Sequence, residues 1–280
     1  MIIGINGRIG SGKDTIGKII QYLSYCDTFG RMSYSSWEML DKTYNKSEWQ
    51  IKKFADKLKD IVCLLIGCTR EQLEDREFKE KELGEEWFKT IWWIKSNHNN
   101  LAAFNSIEEA DEAFSYYDEN YLEEVFIASE DVMLTPRLIL QLLGTQCGRQ
   151  IIHPDIWINA LFANYNADGF NYADCVGKEI KGSWTYPNWI ITDMRFPNEM
   201  KAVKDKGGIT IRVNRINIKT IKDKDSTIKY IPIPNIDYKE HESETALDGS
   251  TFDYEINNND TIEDLIKQVK EILIKEKLIN

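Results

Sequence analysis

The first twenty residues, MIIGINGRIGSGKDTIGKII, restrict the fold more than any other stretch of the chain. Residues 1–5 are an unbroken apolar run, the pattern of a short strand buried on both faces. Ile16, Ile19, Ile20 and Leu23 then recur at i, i+3, i+4 and i+7, the stripe of an amphipathic helix. Between them lies GRIGSGKD, residues 7–14. Glycines let successive backbone N–H groups turn inward around an anion, and the helix N-terminus beyond them adds partial positive charge. Gly7, Gly10, Ser11, Gly12 and Lys13 are therefore candidate phosphate-binding residues, with Lys13 reaching β- and γ-phosphate oxygens. The stretch departs in one place from the phosphate-loop pattern G-x-x-x-x-G-K-[ST], whose final hydroxyl helps to hold Mg²⁺. Asp14 occupies that position, and the hydroxyl, Thr15, comes one residue late. Two readings of Asp14 are open. It contacts Mg²⁺, directly or through a water, while Thr15 takes an α-phosphate oxygen; or it caps the first helical turn.

Further along, WIITDMRFPNEMKAVKDKGGITIRVNR reads as a strand ending at Asp193, a helix closed by Gly207-Gly208, and a strand over residues 209–213. Strand, helix, strand at this spacing is the unit of a parallel sheet. Asp193 and Arg195 then stand just past the carboxyl end of a strand, the edge at which open α/β sheets bind ligands. An Asp there holds Mg²⁺ waters or accepts a proton, and an Arg clamps a phosphate bidentately. The alternative is a salt-bridged turn, with Pro197 opening the next helix. FADKLKDIVCLLIG, residues 54–67, carries Leu58, Ile61, Val62 and Leu65 at helical spacing and ends on Gly67. In LTPRLILQLLGTQCGRQ, Thr135 is an N-cap and Pro136 a first-turn proline; Gly144 interrupts the apolar pattern. Its two glycines allow close backbone approach, beside Thr145 and Arg149. Residues 84–130, rich in acids and aromatics, read as a mostly helical insertion whose aromatics pack a small core. Residues 216–240, polar and with Pro232 and Pro234, read as a long lid-like loop. HESETAL follows and puts Ser243 and Glu244 either at a ligand or at a helix cap. A strand over about residues 252–256 and an amphipathic helix from about Thr261 close the chain.

Charge distribution narrows the function classes. The chain of 280 residues carries a net charge of −11. Residues 71–130 alone hold 17 Asp and Glu against 5 Lys and Arg, so the remainder is near neutral. An acidic average argues against direct nucleic-acid binding, which needs a basic face. It leaves room for local cations around a small phosphorylated ligand: Lys57, Lys59, Arg76, Arg137, Arg149 and Arg215. No apolar run approaches the ~20 residues of a membrane span, and the start has no basic leader region. Five cysteines without C-x-x-C spacing and three separated histidines make a zinc site unexpected and fit a reducing cytoplasm.

Taken in order, these blocks resemble the deoxynucleoside monophosphate kinases of bacteriophages, within the P-loop nucleoside monophosphate kinase class. The resemblance runs over most of the chain in pieces. It is carried by SGKDT at residues 11–15, FADKLKD at 54–60, LQLLGT at 140–145 with Trp157 downstream, and Asp193, Arg195 and Glu199 in a D-x-R-x-x-x-E block. Arg215 closing the next strand and an H-x-[ST]-E block at residues 241–244 complete it. In that family the Asp after the lysine belongs to the motif, so Asp14 is no sign of a dead site. The resemblance implies a P-loop NTPase fold of the α/β class, a parallel sheet flanked by helices. It also implies bound ATP and Mg²⁺, and a pocket for a deoxynucleoside monophosphate (dNMP) around Lys59, Arg76, Arg137, Thr145, Trp157, Asp193, Arg195 and Glu199, to which the readings above add Gly144, Arg149 and Glu244. Trp157 has two readings, a base-stacking ring or a core residue.

The expectation is a single P-loop kinase domain over residues 1–280, with the insertion and the lid-like loop as additions. It would move the γ-phosphoryl of ATP to a dNMP in the cytoplasm, with no membrane or nucleic-acid partner, as a monomer or a homodimer. Lys13, Asp193 and Arg195 would be the catalytic residues. The rivals are a P-loop kinase with another small acceptor, such as dephospho-coenzyme A, and a non-catalytic nucleotide sensor or virion component. A GTPase fits poorly, because the nearest approach to N-K-x-D is Asn45-Lys46-Ser47-Glu48.

Overall fold

The strand at the start of the chain, β1 (Ile2–Gly7), forms the centre of a five-stranded sheet. In the computed structural model, which describes residues 1–40, 47–96, 100–104, 106–120, 124–173, 181–215, 218–222, 228–232 and 245–280, β1 pairs in parallel with two strands. One is β8 (Asn188–Ile191); the other is β9 (Ile209–Asn214). β2 (Trp49–Lys52) adds in parallel beyond β8, and β12 (Tyr254–Asn257) in parallel beyond β9. Taking these five strands in chain order, their order across the sheet is second, third, first, fourth, fifth. The chain therefore crosses from one side of β1 to the other after β8, which makes β1 the switch strand, where a crevice opens at the carboxyl edge.

Alternation along β1 assigns its side chains to two cores. Ile3 and Ile5 face one side with Ile190 and Ile211. There they meet Ile16, Ile19 and Ile20 of α1 (Lys13–Phe29) and Leu265, Val269 and Leu273 of α10 (Ile262–Lys275). Ile2 faces the other side with Ile191, Ile158 and Leu161 of α8 (Ile156–Phe162), and Met200 and Val203 of α9 (Pro197–Asp205). The helical stripe read from residues 16–23 is fully buried, and Thr261 caps α10 by accepting the Asp264 N–H. Both α/β expectations, a parallel sheet and flanking helices, are met.

Contacts divide the chain into two units, Met1–Lys57 with Pro154–Asn280, and Leu58–His153. The first contains the sheet. Helix α3 (Asp56–Ile66) begins in the first unit and runs on into the second, ending before Gly67 at φ 66°. Of its expected apolar stripe, Leu58 and Val62 are buried, whereas Ile61 and Leu65 remain exposed. The second unit goes on with α4 (Arg70–Glu74) and α5 (Arg76–Glu80). Next come β3 (Phe88–Ser96), β4 (Asn100–Phe104), α6 (Ile107–Asn120) and β5 (Val125–Met133).

The insertion at residues 84–130 is thus not mostly helical. β4, β3 and β5 form an antiparallel sheet, with α6 as the one α-helix in that stretch among the described residues. The run TIWWI is β-branched and aromatic, which suits a pleated surface. Its buried Ile91 and Ile94 lie three apart and imitate a helical period.

Two further hairpin pairs lie in the first unit. β6 (Gly169–Ala173) pairs with β7 (Lys181–Thr185), and β10 (Ile218–Lys222) with β11 (Ile228–Pro232), both antiparallel. The second pair falls inside the stretch expected to be a lid-like loop. Residues 216–217, 223–227 and 233–240 of that stretch lie outside the described residues, as do Ser243 and Glu244.

Candidate active site

The glycine loop occupies the carboxyl end of β1, the switch strand. Gly12, at φ 96° and ψ 20°, is the N-cap of α1; a Cβ on it would strike the Asn258 side chain. Asn258 itself donates to the Ser11 carbonyl at 2.8 Å, so glycine and amide lock the loop between them. At Gly7 a Cβ would stand 2.5 Å from Ser11 Oγ and 2.8 Å from the Val213 carbonyl. That hydroxyl is buried (Ser11 is 3 % exposed) and has no hydrogen-bond partner among the described residues. A buried orphan donor inside a ring of backbone amides is a site short of an acceptor. A phosphate oxygen supplies one, so the loop fits a phosphate group.

Lys13 folds over the loop, donating to the carbonyls of Gly7 (2.5 Å) and Arg8 (2.8 Å). Arg215, one residue past β9, donates to the Gly10 carbonyl at 3.2 Å. A cavity of about 230 Å³ beside the loop is lined by Arg8, Ser11, Arg212, Asn214, Arg215 and Asn257, among others. Two of these arginines share one carboxylate. Arg212 donates to Asp248 Oδ1 at 2.6 Å and to the Asn6 amide oxygen, while Arg8 donates to Asp248 Oδ2 at 3.1 Å.

Asp14, in the first turn of α1, does not cap its own helix through any contact described. Its Oδ1 accepts from Thr192 Oγ1 at 2.6 Å and lies 2.9 Å from Lys53 Nζ. Burial acts to raise its pKa. The hydrogen bonds from Thr192 and Lys53 and the charges of Lys53 and Lys13 outweigh that and hold the carboxyl below the usual aspartate value.

The expected catalytic pair stands just past the carboxyl end of β8, as read from the sequence. Asp193 accepts the N–H of Phe54 (2.8 Å) on one oxygen and that of Ala55 (3.0 Å) on the other. It thereby pins the turn after β2, next to Lys53. Burial is the largest influence and pushes its pKa up, opposed by those two N–H groups and by the Arg195 charge. The Arg195 N–H and the Phe196 N–H both donate to Glu199 Oε2, at 2.7 and 3.1 Å. Glu199 is 1 % exposed and is the third residue of α9, so its carboxylate satisfies the helix start. Trp157, on α8, is 4 % exposed, which supports its core reading.

The remaining candidates belong to the second unit. Gly144 and Thr145 sit in a π-helix, Leu142–Ile152, that continues α7 (Pro136–Gln141). A Cβ on Gly144 would stand 2.9 Å from Leu58 Cδ2, so this glycine serves close packing against α3. Arg149 is half-buried on the same π-helix, and Arg76 is exposed at the start of α5. Lys59 reaches Glu74 at 2.5 Å, and Arg137 reaches Glu80. Sequence reading missed Asn6, Lys53, Thr192, Arg212, Asp248 and Asn258. Apart from Asn6, which is on β1 itself, each comes to the loop or to Asp14 from a neighbouring strand or turn, and no local pattern marks such a residue.

A parallel sheet in this strand order, with a glycine loop and lysine on its switch strand, defines a P-loop NTPase fold. Among the described residues no helix is long and apolar enough to cross a membrane. The family model of deoxynucleotide monophosphate kinase matches residues 1–269. A deoxynucleoside-5′-monophosphate kinase of Escherichia phage T5 is 27% identical over 270 residues, covering 92% of this chain and 89% of that protein. The chain belongs to the deoxynucleotide monophosphate kinase family, and it is therefore a nucleotide-phosphorylating enzyme.

Proposed function

We propose that the protein transfers the γ-phosphoryl of ATP to the 5′-phosphate of a deoxynucleoside monophosphate, giving a diphosphate and ADP, in the cytoplasm. The observation that carries the donor site is the orphaned, buried Ser11 hydroxyl inside the glycine loop. The β-phosphate would sit in that loop, with Thr15 on an α-phosphate oxygen and Arg215, Asn214 and Asn257 along the rest of the donor. Lys13 would leave the Gly7 and Arg8 carbonyls for the β- and γ-oxygens, exchanging two neutral acceptors for charged ones. Mg²⁺, when bound, supplies further charge neutralisation between the β- and γ-phosphates. Among the described residues no group of three or more His, Cys, Asp and Glu could hold a metal. The metal would therefore rest mainly on phosphate oxygens and water, with Asp14 as its protein contact.

The acceptor already presents an anionic oxygen, so no strong base is needed, and catalysis reduces to positioning and neutralisation. Arg195 is then the group beyond β8 that can meet a phosphate. Asp193, with both oxygens on backbone amides, acts as a positioning residue for the Lys53 turn. Acceptor binding falls to Lys59, Arg76, Arg137, Thr145 and Arg149. ADP release from ATP and Mg²⁺, measured with each of the dNMPs and NMPs, tests the reading. Acceptor-dependent release is expected; acceptor-independent release or none would reject it. The mass in solution, that of one 32.6 kDa chain or of two, decides between monomer and homodimer.

A further inference from the structure

A tight group of cations flanks the start of the most acidic part of the sequence. In the second unit, Lys59 Nζ lies 2.5 Å from Glu74 Oε1, Arg70 Nη2 lies 3.5 Å from the same oxygen, and Lys79 Nζ lies 3.6 Å from Glu74 Oε2. Arg70 also reaches Asp60 at 3.1 Å, and Arg137 reaches Glu80. Lys59 and Lys79 are well covered, their side chains 15 % and 18 % exposed, whereas Glu74 is 47 % exposed. The cations come from three separate helices, α3, α4 and α5, and they converge on one outward-lying carboxylate. A solvated surface pair needs one partner, and three cations on a single carboxylate form an anion-binding geometry.

We propose that Glu74 is an internal stand-in for the acceptor's phosphate, and that Lys79 and Arg70, with Lys59, form the site that receives the 5′-phosphate of the dNMP. This rests on the kinase reading above and adds residues to it. The phosphate brings two charges and three oxygens where Glu74 offers one charge and two oxygens, so it wins the cations and Glu74 swings to solvent. Exposure of Glu74 leaves it that path. Electrostatics agree. Burial, with Lys59 and Arg137 close by, holds the Lys79 ammonium below its ordinary pKa even though Glu74 pulls it up. Burial tends to raise the Glu74 carboxyl, but the bond from Lys59 and the charges of Lys59, Lys79 and Arg70 keep it below the usual value. An added anion therefore finds Lys59 and Lys79 on a displaceable carboxylate, with Arg70 shared between Glu74 and Asp60.

The test measures KM for the best-used dNMP and KM for ATP in Lys79→Met and Glu74→Gln, with thermal melting to confirm folding. Lys79→Met should raise KM for the dNMP by about tenfold or more, the worth of one charge-assisted contact, and leave KM for ATP unchanged. Glu74→Gln, which keeps the Lys59 hydrogen bond but removes the competing charge, should lower KM for the dNMP by about threefold or more. Equilibrium titration of the dNMP without ATP should show the same two directions. A purely structural Glu74 would raise KM for the dNMP in Glu74→Gln, and that result overturns the proposal. So does an unchanged acceptor KM in folded Lys79→Met. If instead the native protein turns over no dNMP at all, it is the kinase reading that fails.

Discussion

Lys13 and Asp14 are adjacent and carry opposite charges into the same loop. Removing the Lys13 ammonium leaves the charge that builds between the β- and γ-phosphates without its nearest cation. Lys13→Ala should therefore lose about a hundredfold or more in kcat, with the fold intact because the sheet and both cores are untouched. Near-normal kcat in the folded variant would count against phosphoryl transfer at this loop. Asp14 raises the opposite problem. Two like unit charges ~4 Å apart at an effective dielectric of ~20 repel by about 4 kcal/mol. A carboxylate beside a triphosphate thus requires a cation, and Lys53 and Mg²⁺ are the two available. If Asp14 contacts the metal, chelation should weaken ATP binding far more in the native protein than in Asp14→Asn; titrations with Mg²⁺ and with EDTA read this directly. Equal losses would assign Lys53 alone to that duty. The same carboxyl gives a pH signature. Its folded pKa lies below the ordinary 3.8, so its contribution to stability is complete above that value and is lost as pH falls through the depressed one. Melting temperature should drop less steeply through that acid window in Asp14→Asn than in the native protein.

At the scale of elements, the site is held by ties between chain segments far apart in sequence. Asp193, past β8, fixes the Phe54 and Ala55 amides; the preceding residue, Lys53, meets Asp14 on α1; and Thr192 meets the same carboxylate. Asp193→Asn replaces one acceptor with an N–H₂ that faces an amide N–H, and an unsatisfied buried donor costs about 1–3 kcal/mol. The variant should melt lower and should weaken Mg²⁺-dependent ATP binding, because the Lys53 turn is released. A variant that loses stability while keeping nucleotide affinity would confine Asp193 to the fold. Asp248 makes the matching tie on the other side of β1. Asp248→Asn should loosen Arg8 and Arg212 together and change KM for ATP by several-fold, with KM for the dNMP unmoved. These ties explain what was legible beforehand. The strand–loop–helix start, the β8–α9–β9 unit, the cap at Thr135 and the helix from about Thr261 are local, so spacing alone marks them. β2 is four residues long and mixes polar with apolar positions, and its identity as a strand comes from its pairing with β8. Acid and aromatic content does not mark β3 as a strand, because the partners β4 and β5 that make it one lie up to 45 residues away along the chain. Lys13, Asp14 and Arg215 were legible as residues beside the glycine loop from motif and strand end. Lys53, Arg212 and Asp248 were not, since an isolated cation or acid has no pattern until the sheet places it.

Across the whole molecule the two nucleotides should leave separate footprints. The proposed donor features all belong to Met1–Lys57 with Pro154–Asn280: the glycine loop, the arginines beside it, Asn257 and Asn259. The cation group around Glu74 belongs to Leu58–His153. Binding slows amide exchange where it ties down backbone or suppresses local opening. ADP with Mg²⁺ should therefore slow exchange in residues 7–15 and 212–215 and around residue 258, where loop amides gain phosphate acceptors. The dNMP alone should slow it in residues 59–81, where α3, α4 and α5 are drawn onto one phosphate. In Lys79→Met the second footprint should fade at the same dNMP concentration while the first persists, which separates a binding defect from a global loss of structure. A dNMP footprint confined to residues 7–15 would mean that the acceptor competes for the donor loop, and the cations gathered on Glu74 would then be a structural device of the second unit alone.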